Sequence, residues 1–424
     1  MKREHAYKFR IYPTEAQQRL LRRTFGCCRL VYNLALEQRR TFGGRAFGGK
    51  RRSITYNSAA NELKALKAEA PFLVDAPHHC LQQTLHDLDD GFQRFFLGIA
   101  GYPKPRKKFA NESCRFPDMA QVFIGRGQVK LPKLGVVKMR MHRPLRGKLN
   151  SITISLDGGM WFAAIQVTSQ VNAPEPRPIV EGGADLNVVT GVVNSDGLIE
   201  LMPRMSPEEH SKLARLQKAH SRKKKGSKNR EKSRRAIAAF HARMKRRRKD
   251  AAHKISRHLA DAYTHLAFEN LKLKNLTASA RGTVEAPGKN VAQKAGLNRA
   301  LLDVALGLVR QQAKYKVGWA GGVCVEVVAA YTSQRCSECC KHPQDDVATA
   351  HLDNGRITRD DFICPLCGYA VHADVNAARN ILALGREIWT ADGYTAGGPP
   401  GAACGGLRGR RAGKQEQRSE LKAA

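Results

Sequence analysis

The sequence predicts a multidomain α/β protein, and three stretches carry that reading. Residues 116–171 alternate apolar and polar side chains between glycine and proline turns, the pattern of a small antiparallel sheet. Residues 182–193 and 266–268 are short apolar runs on either side of a long basic stretch with helical periodicity. Two Cys-x-x-Cys pairs, Cys336/Cys339 and Cys364/Cys367, have the spacing of a zinc ribbon, and a helical pattern begins soon after them at Asp374.

Length and charge bound the function. At 424 residues the chain has room for two to four domains of about 150 residues each. It carries 73 Lys and Arg against 37 Asp and Glu, a net charge of +36. Such an excess calls for a polyanionic partner, with nucleic acid first and an anionic membrane surface second. No apolar run reaches spanning length, and the start MKREHAYKFR lacks a signal-peptide core, so no membrane partner is expected. Eleven cysteines, four of them in zinc spacing, suit a reducing compartment better than a disulfide framework. Cys27, Cys28, Cys80, Cys114, Cys324 and Cys404 read as ordinary thiols.

The first elements alternate in type. Tyr7, Phe9 and Ile11 share one face of a short strand over residues 5–12. Thr14 then caps a helix, with Gln17 completing a capping box, and Leu21, Phe25 and Cys28 follow at helical spacing. A basic, glycine-rich link spans residues 39–52. A second helical pattern, Leu81, Leu85, Leu88, Phe92 and Phe95, ends at the breakers of 101–105, with Phe92, Phe95 and Phe96 expected in the core. Strands are predicted over 129–131, 136–141, 152–156 and 160–167, the last two joined by the hairpin turn Asp157-Gly158-Gly159. With residues 5–12 they make a sheet or barrel that carries a helical insertion.

After a proline linker at 174–178 the pattern changes. Residues 182–193 read as a strand hairpin with Asp185 in its first strand. A buried carboxylate costs several kcal/mol unless it is paired or bound to metal, so an acid there needs a reason. Ser206-Pro207-Glu208-Glu209 opens a helical region reaching residue 260, dense in Lys and Arg. Its runs include Arg222, Lys223, Lys224, Lys225, Arg246 and Arg247. A charge run is often only a solvated face, but one this dense repels itself without phosphates or counterions nearby. Glu269 stands at the end of the next strand, where an ordinary surface charge is the competing reading. Residues 297–315 suit one amphipathic helix and 322–330 a buried strand. Beyond residue 384 the chain turns Gly-, Pro- and Arg-rich, as a disordered basic tail would.

The thiol pairs fit four thiolates closing one structural Zn2+ site, with a redox dithiol as the alternative. In their setting, the TSQ-x-C-x-x-C knuckle, the CPLCG knuckle and the HADVNAARNI run resemble the C-terminal part of the TnpB (OrfB) family. These are transposon-encoded RNA-guided DNA nucleases related to type V CRISPR effectors. The resemblance covers the chain to about residue 385. It implies a RuvC-like (RNase H-type) nuclease domain, residues 176–330 and 373–385, with a zinc ribbon inserted at 331–372. It also implies a wedge-type β-barrel from residues 1–12 and 116–175 and a helical recognition domain at 13–115, which leaves 386–424 as the tail read from composition.

In that family three acids form the catalytic site, and here they would be Asp185, Glu269 and Asp374, holding Mg2+ or in its place Mn2+. The basic hairpin at 206–260 would contact an RNA–DNA heteroduplex. The implied partners are a guide RNA from the transposon end and a double-stranded DNA target beside a flanking motif. The implied location is the prokaryotic cytoplasm, at the nucleoid. Two positions depart from the family pattern: Asn187 stands where the first acidic motif has glycine, and Cys340 where the first knuckle has one. Asn187 keeps a nuclease-inactive RNA-guided DNA binder, or a transposase accessory protein, as the alternative. A DNA-joining transposase lacks a Tyr or Ser recombinase signature, and a zinc-ribbon ribosomal or transcription factor would leave Asp185 and Glu269 unexplained.

Overall fold

A computed structural model describes residues 2–42, 46–47, 50–51, 54–125, 127–283, 285–328, 331–342, 345 and 355–393. They divide into two compact units, one of Met1–Asn172 with Ser211–Arg243 and the other of Ala173–His210 with Met244–Ala424. No helix among the described residues is long and apolar enough to cross a membrane.

The first unit is built on an antiparallel sheet of seven strands. In chain order it comprises β1 (Lys2–Tyr12), α1 (Glu15–Phe42), the short β2 (Ala46–Phe47) and β3 (Lys50–Arg51), α2 (Tyr56–Glu69) and α3 (His78–Phe96). Strands β4 (Ser113–Phe116), β5 (Phe123–Gly125), β6 (Gln128–Leu131), β7 (Gly135–Arg140), β8 (Lys148–Asp157) and β9 (Met160–Gln170) follow. The sheet order is β4-β8-β9-β1-β7-β6-β5. Phe9 and Ile11 of β1 are buried, as alternation requires. The capping box forms: Thr14 N donates to Gln17 Oε1 at 2.9 Å, and Gln17 N to Thr14 Oγ1 at 3.4 Å. Gln17 Nε2 also reaches the carbonyls of Leu134 and Val136, tying the start of α1 to the sheet. Gly158 and Gly159 take the positive φ values, 60° and 83°, that a two-residue hairpin turn demands.

Three expectations change here. Edge strands β4 and β5 do not pair, so the described residues form an open sheet and no closed barrel. Phe92 is buried, but Phe95 is only half-buried and Phe96 is 78% exposed at the end of α3. Helix α2 was not foreseen, because only Ala59 and Leu63 are buried along it and its apolar stripe is too sparse to register.

The second unit has a five-stranded sheet in the order β12-β11-β10-β13-β14. Its strands are β10 (Glu181–Asn187), β11 (Gly191–Asn194), β12 (Ile199–Glu200), β13 (His265–Glu269) and β14 (Val323–Val327). Strands β10, β13 and β14 run parallel, with β14 at the edge, and β11 and β12 are antiparallel. Between β12 and β13 lie α4 (Pro207–Ser221) and α5 (Lys228–Ala262), along both of which the chain passes from one unit to the other. Next come α6 (Leu273–Leu276), α7 (Val291–Val304) and α8 (Leu306–Trp319) before β14. After it come β15 (Asp361–Ile363), β16 (Ala370–His372) and α9 (Ala373–Ala391).

Leu259 of α5, Tyr263 just beyond it, and Val309, Ala313 and Val317 of α8 pack with Leu266 and Phe268 of β13 in one core. Ile381 and Trp389 of α9 pack on Ala267, Val325 and Val327 in another, as expected for a sheet covered on both faces. The single helix expected over 297–315 is broken at Ala305, whose φ of 54° starts α8 in a new direction. Helix α9 outlasts residue 385, and Trp389 is buried, so the chain to Ala391 is core and not tail. The tail from 394 and Cys404 lie outside the described residues. The proline linker is anchored: Arg177 donates to the carbonyls of Ala260 and Asp261 at 3.1 and 2.6 Å.

Candidate active site and thiolate ribbon

Parallel pairing sets two of the acids side by side. Ala184 of β10 is in register with Phe268 of β13, so Asp185 and Glu269 are the next residues along neighbouring strands. Asp374 arrives from the first turn of α9, where the helix dipole favours a carboxylate. It can do so because α9 lies directly on β10: a Cβ on Gly183 would sit 2.1 Å from the Ala378 carbonyl oxygen and 2.7 Å from Leu382 N. Glycine at 183 is a condition of the site.

The three acids line one pocket of about 230 Å³, with Asn187, Ser333 and Arg356 among its other walls. Asp185 and Asp374 are buried and Glu269 half-buried. Burial, then the charges of Asp374 and Glu269, push the Asp185 carboxyl up to about 7, against the Leu186 N–H and the Arg356 guanidinium. Burial also raises Glu269. Asp374 is held from two sides: Asn187 Nδ2 donates to its Oδ1 at 2.9 Å, and Thr190 Oγ1 to its Oδ2 at 2.7 Å. Arg356 Nη2 lies 3.7 Å from Oδ1. A cluster of acids in which burial and, after it, mutual repulsion hold one carboxyl near 7 is short of positive charge. Its oxygen donors suit a hard divalent cation.

The four ribbon thiols converge. Among the described residues they are the one group of three or more His, Cys, Asp or Glu side chains whose ligand atoms all lie within 4.8 Å of one another. Two Sγ–Sγ edges, Cys336–Cys367 and Cys339–Cys364, measure 3.8 Å. That is the edge of a tetrahedron with metal–sulfur bonds of about 2.3 Å, so the donor set fits zinc. Burial pushes the Cys336 thiol up to about 12, so without metal that thiol holds a proton that an ion would displace. The residue after each knuckle's second cysteine is left-handed: Gly368 with φ 75° and Cys340 with φ 57°. Cys340 thus takes up the turn of a glycine at a cost of about 1 kcal/mol, and its exposed thiol lies outside the cluster.

Several residues of the site were given no role by the sequence, two of them within the HADVNAARNI run itself. Asn376 and Asn380, buried on α9, hold the first knuckle. Asn376 Oδ1 accepts from Ser337 N at 2.9 Å and its Nδ2 donates to the Arg335 carbonyl at 2.8 Å. Asn380 Nδ2 donates to the carbonyls of Thr332 and Arg335. Two amides four residues apart on an otherwise apolar helix face were the available signal. Arg356, inside a polar insert, had none.

Of the predicted basic contacts, Arg222, Lys224 and Lys225 are exposed and Lys223 half-exposed on the α4–α5 turn. Arg230 fixes that turn by donating to the His220 and Lys223 carbonyls at 3.1 and 2.7 Å. Arg246 is half-buried. Arg247 is already engaged, its guanidinium bonded to both carboxylate oxygens of Glu209 at 3.0 and 2.9 Å.

An α/β chain whose thiolate ribbon is latched to the helix of an acidic pocket is a defined class, and comparison with known proteins gives its family. A profile described as "Probable transposase" matches residues 164–280, which include Asp185 and Glu269. One described as "Cas12f1-like, TNB domain" matches 307–381, which include the four thiols and Asp374. One described as "Helix-turn-helix domain" matches 1–41, which fold here as β1 and α1. The "Putative RNA-guided DNA endonuclease InsQ" of Escherichia coli K12 is 35% identical over 92% of this chain and 94% of its own length. A "Putative RNA-guided DNA endonuclease" of Streptomyces pristinaespiralis is 32% identical over 99% of this chain and 96% of its own. The "CRISPR-associated endodeoxyribonuclease Cas12f1" of Sulfoacidibacillus thermotolerans is 42% identical over 74 residues, 17% of this chain and 15% of its own. The chain belongs to the TnpB (OrfB) family, related to type V CRISPR effectors.

Proposed function

We infer that the protein is a transposon-encoded RNA-guided endonuclease that hydrolyses double-stranded DNA beside a flanking motif, with Asp185, Glu269 and Asp374 as its metal-holding catalytic acids. The observation that carries the reading is the shared pocket. Two acids stand at matching positions on adjacent parallel strands and a third on the helix packed against them. The sheet order, antiparallel β12-β11-β10 continuing into parallel β13-β14, supports a RuvC-like nuclease domain. The open sheet of the first unit supports the role of wedge with α1 to α3 as its recognition insertion, and the thiolate cluster that of a structural zinc ribbon.

A bound Mg2+ would supply activation of water and neutralisation of charge on the phosphate. The protein's residues orient the acids and keep Asp185 buried beside them. The exposed Arg222, Lys224 and Lys225 fit the phosphates of the guide RNA and its heteroduplex, RNA derived from the transposon end.

The test uses the protein with its co-purified RNA and a matched target. Cleavage in magnesium is expected, and Asp185→Ala, Glu269→Ala or Asp374→Ala should abolish it while leaving target binding within about threefold, because the acids act on the transition state. Cutting that persists in Asp185→Ala places the active site elsewhere. A wild type that binds its target but never cuts in magnesium or manganese is the inactive binder.

A further inference from the structure

Where the family pattern has glycine, Asn187 makes two bonds that fix its amide completely. Its Oδ1 accepts from Val189 N at 2.9 Å and its Nδ2 donates to Asp374 Oδ1 at 2.9 Å. The first bond dictates which end of the amide faces the acid, since an N–H of the backbone can meet only the oxygen. Thr190, three residues on in the same β10–β11 turn, covers the other carboxylate oxygen at 2.7 Å. Asp374 itself is 3% exposed. One turn therefore holds both oxygens of an acid that lies nearly two hundred positions away in the chain.

We propose that Asn187 and Thr190 are positioning residues that clamp the Asp374 carboxylate in its metal-holding orientation, so the loss of glycine at 187 sustains the site. The proposal rests on the nuclease reading of the acidic pocket. Each carboxylate oxygen has two acceptor directions, so a donated bond fixes the group and leaves one direction per oxygen for a cation. Hydrogen-bond partners of ligating carboxylates typically contribute 10–100-fold to metal affinity or activity.

The test measures Mn2+ binding by electron paramagnetic resonance on the full chain with its co-purified RNA, with Asp374→Ala giving the background bound by RNA. Single-turnover cleavage against magnesium concentration is measured in parallel. Asn187→Gly and Thr190→Val should each weaken Mn2+ binding about tenfold and raise the magnesium needed for half-maximal cleavage by a similar factor. Thr190→Ser, which keeps the hydroxyl, should stay within about threefold of wild type, and target binding should not change in any variant.

The proposal is overturned if Asn187→Gly and Thr190→Val both match wild type in Mn2+ affinity and magnesium requirement. A lowered melting temperature with unchanged Mn2+ affinity overturns it too, since Asn187 then serves only the turn through Val189. Failure of the nuclease reading shows separately, as a wild type that does not cut, and the clamp is then judged on Mn2+ binding alone.

Discussion

Asn376, two residues beyond Asp374 on α9, accepts a hydrogen bond from Ser337 N, inside the first thiolate knuckle, at 2.9 Å. The same amide donates to the Arg335 carbonyl, so one fully buried side chain joins the ribbon to the helix that carries an acid. Asn376→Ala should leave the Ser337 N–H buried without a partner, at a cost of about 1–3 kcal/mol. The check is zinc release to a chromogenic chelator, expected to be faster than in wild type, together with a lower melting temperature. Unchanged release would mean that Asn380 alone holds the knuckle.

Removal of the metal acts on the same joint from the other side. Structural zinc sites contribute on the order of 10 kcal/mol to folding. Cys364→Ser should therefore unfold the ribbon and loosen the first turn of α9, with Asp374 in it. Metal analysis should give one zinc per wild-type chain and well under one in the variant. Cys340→Gly should keep full zinc and gain about 1 kcal/mol, because position 340 is left-handed and outside the cluster.

Which parts of this joint the sequence made legible follows from the range of each interaction. The thiol pairs and their helix were readable because their spacing is local, two residues within each knuckle and seven from Cys367 to Asp374. Asp185 stood out because an acid set into an apolar strand needs a reason, whereas Glu269, at a strand end where a surface charge is ordinary, was singled out by the family resemblance. The clamp of Asn187 and Thr190 on Asp374 was not, since it joins residues whose separation no periodicity reports. Closure of the first sheet into a barrel was unreadable for the same reason: the alternation in β4 and β5 says which face is buried but not whether the two edges meet. Phe96 was misread because apolar spacing continues through the last turn of α3 after the packing has ended.

Gly183 tests how α9 reaches the sheet. A methyl group there would meet the Ala378 carbonyl oxygen at 2.1 Å and Leu382 N at 2.7 Å, both backbone atoms that cannot rotate away. Gly183→Ala should lift α9 and destabilise the second unit by about 3 kcal/mol. Activity should fall further than stability, because Asp374 moves with the helix. Calorimetry and single-turnover cleavage below the melting range separate the two effects, and wild-type rates in Gly183→Ala would refute the account of how Asp374 is placed.

The basic hairpin predicts a graded salt dependence. Each phosphate neutralised contributes about 0.7–0.9 to the log–log slope of affinity against salt. Lys224→Ala and Lys225→Ala, at exposed positions, should each reduce the slope by about that amount. Arg247→Ala should leave the slope nearly unchanged and lower the melting temperature, because its guanidinium is spent on Glu209. Filter binding across a salt series checks both, and a slope that falls in Arg247→Ala would show that the ion pair opens for nucleic acid.

Asp185 gives a pH dependence whose sign can be worked out. Its carboxyl titrates near 7 in the folded protein without magnesium, against about 3.9 in an unfolded chain. Between those values the folded state holds a proton that the unfolded state has lost, so stability falls as pH rises. A three-unit difference corresponds to at most about 4 kcal/mol, present below pH 4 and lost by the time pH passes 7. Glu269, raised by burial, adds in the same direction. Melting temperatures should therefore decline from pH 5 to 7.5 in magnesium-free buffer, prepared without chelator so that the ribbon keeps its zinc. Asp185→Asn has no proton to lose and should flatten most of that decline. Millimolar magnesium should flatten it in wild type as well, because an ion held by the acids displaces the proton and replaces its charge. A wild-type profile that rises with pH, or one that magnesium leaves unaltered, would mean that burial of Asp185 beside Glu269 and Asp374 does not govern the pocket.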